Sequence, residues 1–457
     1  MLKLPQDFIN KYQKLLGNEA SAFFESLNKD VQKGFRLNPL KNDYKNVALS
    51  LTHPIPFIKN GYYGTIKGNT LDHQAGYIYS QDISAMYVGE VINAHPGEKV
   101  LDLCAAPGGK STHIAAQLQN KGLLVSNEIN HKRAEILTEN LERFGARNVV
   151  ILNEDPHMIA KNLPLFFDKI VVDAPCSGEG MFRKDHEAVK YWHKDYPHEC
   201  AFRQQKILAD AMKCLKPDGE LIYSTCTFAP EEDEKVVEWL LSNYPSLELV
   251  DIPKYEGMDM GRPDFANGDP NLKKTVRLMP HHFKGEGQFI AKFKNNVSVT
   301  LVRKNKKVKL KKGNFNLSAA EFKLWQKFIT DISPQFAQIG PSDFKVFNEH
   351  LYLYLQEWPN IFKMKFMRPG IYLGEFKKKR FEPSYALSLL LDPTKIKKKL
   401  NFSHEQWQQY LTGATVNIEA KQPNGWYLLV CDNKGFSFGK LVNQTVKNFI
   451  PKNIRMH

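Results

Sequence analysis

The chain is poor in cysteine, and its few cysteines are not arranged to hold anything structural. The six of them in 457 residues (104, 176, 200, 214, 226 and 431) form no CxxC pair and no Cys/His knuckle. That excludes a zinc ribbon or a disulfide scaffold, and no metal is expected. No apolar run approaches the roughly 20 residues of a membrane span. The opening stretch, MLKLPQDFINKYQKLLG, has no apolar core of the length a secretion signal needs. A cytoplasmic protein with reduced thiols and no membrane partner is expected. Two glycine signatures are missing as well. GxGxxG does not occur, and in DLCAAPGGKS Cys104 stands where a phosphate-gripping loop needs its first glycine. A nicotinamide-dependent oxidoreductase would share the fold read below but would leave the cysteines unexplained. Acidic residues are scarce only in the last third: residues 301–457 hold 27 Lys and Arg against 11 Asp and Glu, whereas residues 1–300 hold 36 against 38. A near-neutral catalytic part with a cationic appendage is the expectation, and such an appendage attracts polyanions.

Strand–helix alternation fills the middle of the chain. KVLDL (99–103), GLLVSNE (122–128), NVVILN (148–153), KIVVDA (169–174) and ELIYST (220–225) read as strands, with helical stretches such as HKRAEILTENLERFG between them. This is the pattern of an α/β, doubly wound, Rossmann-like parallel sheet covered on both faces. Residues 1–95 read as an α+β extension containing GFRLNPLK (34–41), and 96–300 as the sheet domain. RKNKKVKLKK (303–312) marks a basic linker over 301–317. An intermediate α+β segment over 318–365, opened by a capping box at Ser318 and Glu321, and a β-rich region over 366–457 complete the chain.

The chemistry-bearing residues gather at strand ends. The turn Cys104, Ala105, Ala106, Pro107, Gly108, Gly109 and Lys110 follows the first strand, and its small residues let backbone N–H groups approach a ligand at a helix start. Asp102 and Glu128 end strands 1 and 2, and Asp155 lies just beyond strand 3. An acid ending strand 2 suits a ribose diol. The acid after strand 3 suits an adenine amino group, although any one of them is as readily a helix cap. Together they describe an adenosine crevice. Strand 4 ends in VVDAPCSGEG and strand 5 in IYSTCTFAPEE, placing Cys176 and Cys226 on neighbouring loops at the same sheet edge, with Asp173 between them. Carbon 5 of cytosine is a poor nucleophile until something adds to carbon 6, and a thiolate suits that addition because it attacks well and leaves again.

DLCAAPGGKS, DAPCSGEG, STCTFAPEE and RLMPHHFKGEGQF (277–289) together resemble the motif set of the RNA 5-methylcytosine methyltransferases, the nucleolar-antigen/Sun family, over roughly residues 30–295. The resemblance implies S-adenosyl-methionine as cofactor, with Cys104–Lys110, Glu128, Asp155 and Asp173 on cofactor-contacting positions. It also implies Cys226 as the nucleophile and Cys176 as an aid to product release. GIYLGEFKKKRFEPSYALSLLL (370–391) and GWYLLVCDNKGFSFGKLVNQTVKNFIPKNIR (425–455) are similar to the tail of the bacterial branch acting on small-subunit (16S) ribosomal RNA, which ends in a PUA-like RNA-binding module. The implied substrate is therefore 16S rRNA or an assembling ribosomal particle, with no DNA expected. The same chemistry on tRNA or large-subunit rRNA, and a non-catalytic assembly factor, are the alternatives. RNA contacts are expected from Phe376–Phe381, where aromatics flank four cations, from Lys395, Lys397, Lys398 and Lys399, and from Arg36 and Asn38. For each, a solvated face, a core aromatic or a plain turn is the competing account.

Overall fold

The computed structural model describes residues 2–297, 317–355, 357–359, 364–419 and 421–456; the basic run 303–312 lies outside them. Three small strands open the fold: β1 (Lys33–Leu37) pairs antiparallel with β2 (Gly61–Tyr63) and β3 (Ile78–Asp82). They follow helices α1 (Gln6–Leu16) and α2 (Ala20–Ser26), and the short helix α3 (Leu71–Gln74) and α4 (Ile83–Ile92) complete the extension.

The central sheet contains five parallel strands: β4 (Lys99–Asp102), β5 (Leu123–Asn127), β6 (Val149–Leu152), β7 (Phe167–Asp173) and β8 (Leu215–Thr225). They lie in the order β8–β7–β4–β5–β6. Each of the five expected strands is present, within a few residues of the expected ends. Alternation explains their apolar composition. Leu101, Val125, Val150, Ile170 and Leu221 pack into one core, while Val100, Leu124, Val149, Val171 and Ile222 pack into another on the opposite face. A strand covered on both sides has no polar face to show. The helices between them are α5 (Gly109–Leu118), α6 (His131–Phe144), α7 (Pro156–Asn162), α8 (His186–Tyr191) and α9 (Tyr196–Cys214), followed after β8 by α10 (Glu234–Asn243). In α6, Ala134, Leu137, Leu141 and Phe144 recur at helical spacing and are buried; Asn130 caps the start and Gly145, at φ 76°, ends it. Antiparallel strands β9 (Leu247–Leu249), β10 (Asp259–Met260), β11 (Val276–Leu278) and β12 (Gln288–Asn295) extend the β8 edge.

The C-terminal third is built into the molecule rather than hung on it. Strand Phe366–Arg368 pairs with β6 and continues the central sheet on its other edge. A four-stranded sheet joins Phe344–Phe347 and His350–Tyr354 to Gly370–Lys377 and Arg380–Pro383. Residues on both sides of the expected division at 365/366 therefore form one sheet. A five-stranded sheet over 399–448 follows. One core, including Trp325, Phe328, Leu373, Phe376, Phe381 and Phe438, spans both sheets. Phe376 and Phe381 are 6% and 4% exposed, which corrects the stacking expectation: these rings are occupied by protein. Among the described residues no helix is long and apolar enough to cross a membrane.

Candidate active site

Register brings the two cysteines together. Strands β7 and β8 run parallel with Asp173 opposite Ser224, so the loops leaving them carry Cys176 and Cys226 outward side by side. Their sulfurs lie 3.2 Å apart, both partly exposed. The hydrogen bond to Cys226, burial, and the negative charge of Cys226 and Glu232 all push the Cys176 thiol well above its ordinary value. Cys176 thus keeps its proton, and either sulfur can be the donor in this contact.

Asp173 and Lys110 stand beside the sulfurs. Asp173 Oδ2 accepts from Lys110 Nζ at 2.7 Å, and Oδ1 accepts from Ser224 Oγ at 2.7 Å and Gln288 Nε2 at 3.3 Å. Burial opposes charge on Lys110, but Asp173, Asp102 and Cys226 outweigh it and raise its pKa, so the ammonium stays charged. The glycine turn closes the other side. Gly108 sits at φ 114°, a conformation open to glycine and strained for other residues, and α5 begins directly after it. Asp102 is fully buried, with Oδ2 accepting from Ser111 and Oδ1 without a partner among the described residues; burial raises its pKa to about 7. The Cys104 thiol is raised by burial and by the charges of Asp102, Glu128 and Asp173, which makes it an unreactive lining group. Glu128 directly follows β5; its Oε1 accepts from Asn130 N, and Arg133 bridges its Oε2 at 3.3 Å to the carbonyl of Ala106 at 2.9 Å. Asp155 is the outlier, exposed and capping α7 through His157 N. The site therefore gathers Cys176, Cys226, Lys110 and Asp173 tightly, sets 104–109 and Glu128 along the adjoining strand ends, and leaves Asp155 at the margin.

Several residues that fix this geometry carry no sequence signal of their own. Ser177 Oγ and Thr227 Oγ1, each next to a cysteine, are 2.8 Å apart and tie the two loops. Glu179 is fully buried and accepts from Tyr12 OH, Trp192 Nε1 and Thr227 Oγ1. Glu232 accepts from Ser177 N and Gln204 Nε2 on one oxygen. Gly180 donates to the Cys226 carbonyl, and a Cβ there would lie 2.9 Å from that oxygen and 2.8 Å from Gly287, so only glycine permits the approach. Arg277 holds the loop after Cys226 from below, with Nη2 3.1 Å from Asp233 and 2.5 Å from Glu234. Phe8, Tyr12 and Phe23 of the N-terminal helices pack on Phe182 and Phe228, bracing both cysteine loops. Arg36 and Asn38 prove to be internal braces, correcting the expectation of RNA contact. Arg36 is 2% exposed and donates to Gln81, the Gly109 carbonyl and Thr112; Asn38 donates to the carbonyls of Gly76 and Phe144.

Comparison with known proteins finds matches along most of the chain. Residues 90–294 match the family model of the 16S rRNA methyltransferases RsmB/F. Residues 4–83, 327–391 and 397–456 match the models of the N-terminal, first C-terminal and PUA domains of RsmF. The ribosomal RNA small subunit methyltransferase F of Vibrio atlanticus is 28% identical over 99% of this chain and 97% of its own length, and that of Vibrio campbellii 29% over the same shares. Among solved structures, a methyltransferase homologue from Pyrococcus horikoshii is 30% identical with a TM-score of 0.56, covering 64% of this chain and 96% of its own. NSun6 from the same organism, solved with SFG, is similar in fold, with 21% identity, a TM-score of 0.55, and coverage of 64% of this chain and 99% of that one.

Proposed function

Because the chain belongs to the RsmB/F family of 16S rRNA methyltransferases, we propose that it methylates carbon 5 of cytosine in 16S rRNA, with Cys226 as nucleophile and S-adenosyl-methionine as methyl donor. The observation that carries this reading is the pair of sulfurs 3.2 Å apart at the ends of adjacent parallel strands, beside Lys110 and Asp173. The glycine turn, Glu128 and the Oδ1 of Asp102, which has no partner among the described residues, form a donor and acceptor set that fits an adenosine and an amino acid. The cofactor, when bound there, supplies an electrophilic methyl group.

The chain's own residues do the rest. A paired base cannot reach the sulfurs, so the cytosine arrives unstacked or single-stranded. Cys226 Sγ adds to carbon 6, and the electron pair this pushes to carbon 5 makes that carbon nucleophilic toward the methyl group. Once carbon 5 is methylated, its hydrogen leaves as a proton taken up by water at this partly exposed edge. The returning electron pair re-forms the 5,6 double bond and expels Cys226 as thiolate. The proton kept by Cys176 lowers the cost of negative charge on Cys226, both before attack and on departure. Lys110, held by Asp173, presents a fixed cation at the same edge.

The test is a pair of substitutions assayed on 16S rRNA with labelled methyl donor. Cys226→Ala should reduce transfer to background with cofactor binding intact. Cys176→Ala should accumulate a protein–RNA adduct that survives denaturant and shifts mobility on a gel. Robust turnover by the first variant refutes the nucleophile; normal turnover without adduct by the second refutes the release role.

A further inference from the structure

Away from the sulfur pair, one group of side chains has the makeup of a cation site. His281 and His282 lie on the turn between β11 and β12, and Glu19 ends the short 3-10 turn Gly17–Glu19 between α1 and α2. Each offers one ligand atom, and the three atoms lie within 4.8 Å of one another. His281 Nε2 is 3.6 Å from Glu19 Oε2, and the two imidazole rings are centred 4.0 Å apart. Metal–ligand bonds of about 2.0–2.2 Å set tetrahedral ligand atoms roughly 3.4 Å apart, so this spacing needs little adjustment.

Two independent features point the same way. The His281 side chain is 4% exposed, yet neither of its ring nitrogens has a hydrogen-bond partner among the described residues. A buried polar group left unsatisfied in this way calls for an account, and an ion is one that fits. On the neighbouring ring, His282 Nδ1 lies 2.8 Å from Asp259 Oδ2. A carboxylate on one imidazole nitrogen is the outer contact that orients the ring for metal binding through the other.

We infer that Glu19, His281 and His282 bind a divalent cation of the zinc class, with Asp259 as the positioning residue for His282. Two imidazoles and one carboxylate select borderline first-row ions over calcium or magnesium, which take oxygen ligands. Three protein ligands leave a further position to water. The ion joins the N-terminal extension to the catalytic domain across a contact already marked by Phe23 against His281, with ring centroids 5.8 Å apart. The same turn leads to Gln288, which touches Asp173, so a clip here steadies the chain that borders the active site.

The experiment titrates zinc chloride alone into chelator-stripped, full-length protein, read by calorimetry and by thermal melting. The sulfur pair and the group His404, Cys431 and Asp432 are competing zinc ligands. The parent is therefore the Cys176→Ser/Cys226→Ser chain, and the His404 group is separated by Asp432→Asn. One equivalent should bind, raise the melting temperature, and survive Asp432→Asn. Glu19→Gln and His282→Ala should each weaken it at least tenfold, and Asp259→Asn about 10-fold. Glu19 is half exposed, so its isosteric variant keeps the fold even if a change at buried His281 does not. Absence of binding in the parent, or binding indifferent to Glu19→Gln and His282→Ala, overturns the site.

Discussion

At the scale of single residues, chemical identity is less telling than surroundings. Six cysteines share one side chain, but Cys214 and Cys431 are buried in apolar packing, Cys200 is buried beside Tyr196, and Cys104 is pressed by three carboxylates. Only Cys176 and Cys226 face each other across a short gap at an open edge. Glu232 shows the same dependence. Its carboxyl has an ordinary value of 4.5, and burial raises it to about 8, against hydrogen bonds from Ser177 and Gln204 that pull the other way. A raised acid holds its proton in the folded chain after the unfolded chain has lost it. Stability from this group is therefore complete below about pH 4.5 and drains away as pH rises toward 8. Glu232→Gln keeps the neutral form and removes that loss. Its melting temperature should gain on wild type from pH 5 to 8.5, by at most about 5 kcal/mol in stability. Parallel pH profiles for the two chains would show that Glu232 is ionised throughout.

At the scale of elements, the sheet was legible and its bracing was not. Alternating strands and helices announce a parallel sheet because burying both faces leaves strands uniformly apolar, as in Val149–Leu152. GFRLNPLK announces only an Asn-Pro turn, since nothing local distinguishes an arginine facing RNA from one turned inward. The structure turns Arg36 inward, where it reaches from β1 to the carbonyl of Gly109 and the hydroxyl of Thr112, in the first turn of α5. Arg36→Met should leave those acceptors and Gln81 short of a donor and cost roughly 2–4 kcal/mol in urea unfolding. It should also weaken cofactor binding by loosening the turn. The salt dependence of RNA binding should not change. A flatter salt slope in this variant would mean that Arg36 meets phosphate after all.

At the scale of the whole molecule, charge was visible in the sequence but its mounting was not. The C-terminal third touches the core at many points. Lys434 pairs with buried Asp72 at 3.0 Å, Arg368 with Glu142 at 2.7 Å, and Lys41 and Arg147 donate to the carbonyls of Leu389 and Leu390. Removing the region would strand Asp72 as a lone buried charge and bare the β6 edge, so truncation reports on folding as much as on RNA. Exposed cations are the cleaner probe. Lys377 and Arg380 are paired with Glu375 and Glu382, and Lys398 with Asp331. Lys378, Lys379 and Lys397 are exposed and have no ion pair among the described residues. Replacing these three with Ala should weaken RNA binding, with melting temperature unchanged. The salt slope should fall by about 0.7 for each phosphate of a single strand that the variant no longer neutralises. An unaltered slope assigns the three lysines to solvation.

The sequence by itself determined the parallel sheet, the glycine turn, and the strand ends on which both cysteines sit, because these follow from local periodicity and from one-dimensional order along strands. Only the tertiary structure decided which side of a surface each polar residue faces. It turned Arg36, Asn38, Phe376 and Phe381 inward and buried Glu179 and Glu232 behind the cysteines. It also brought Glu19 to a histidine pair more than 250 positions away in the chain. Such choices depend on packing between segments distant in the chain, and no local pattern of residues encodes them.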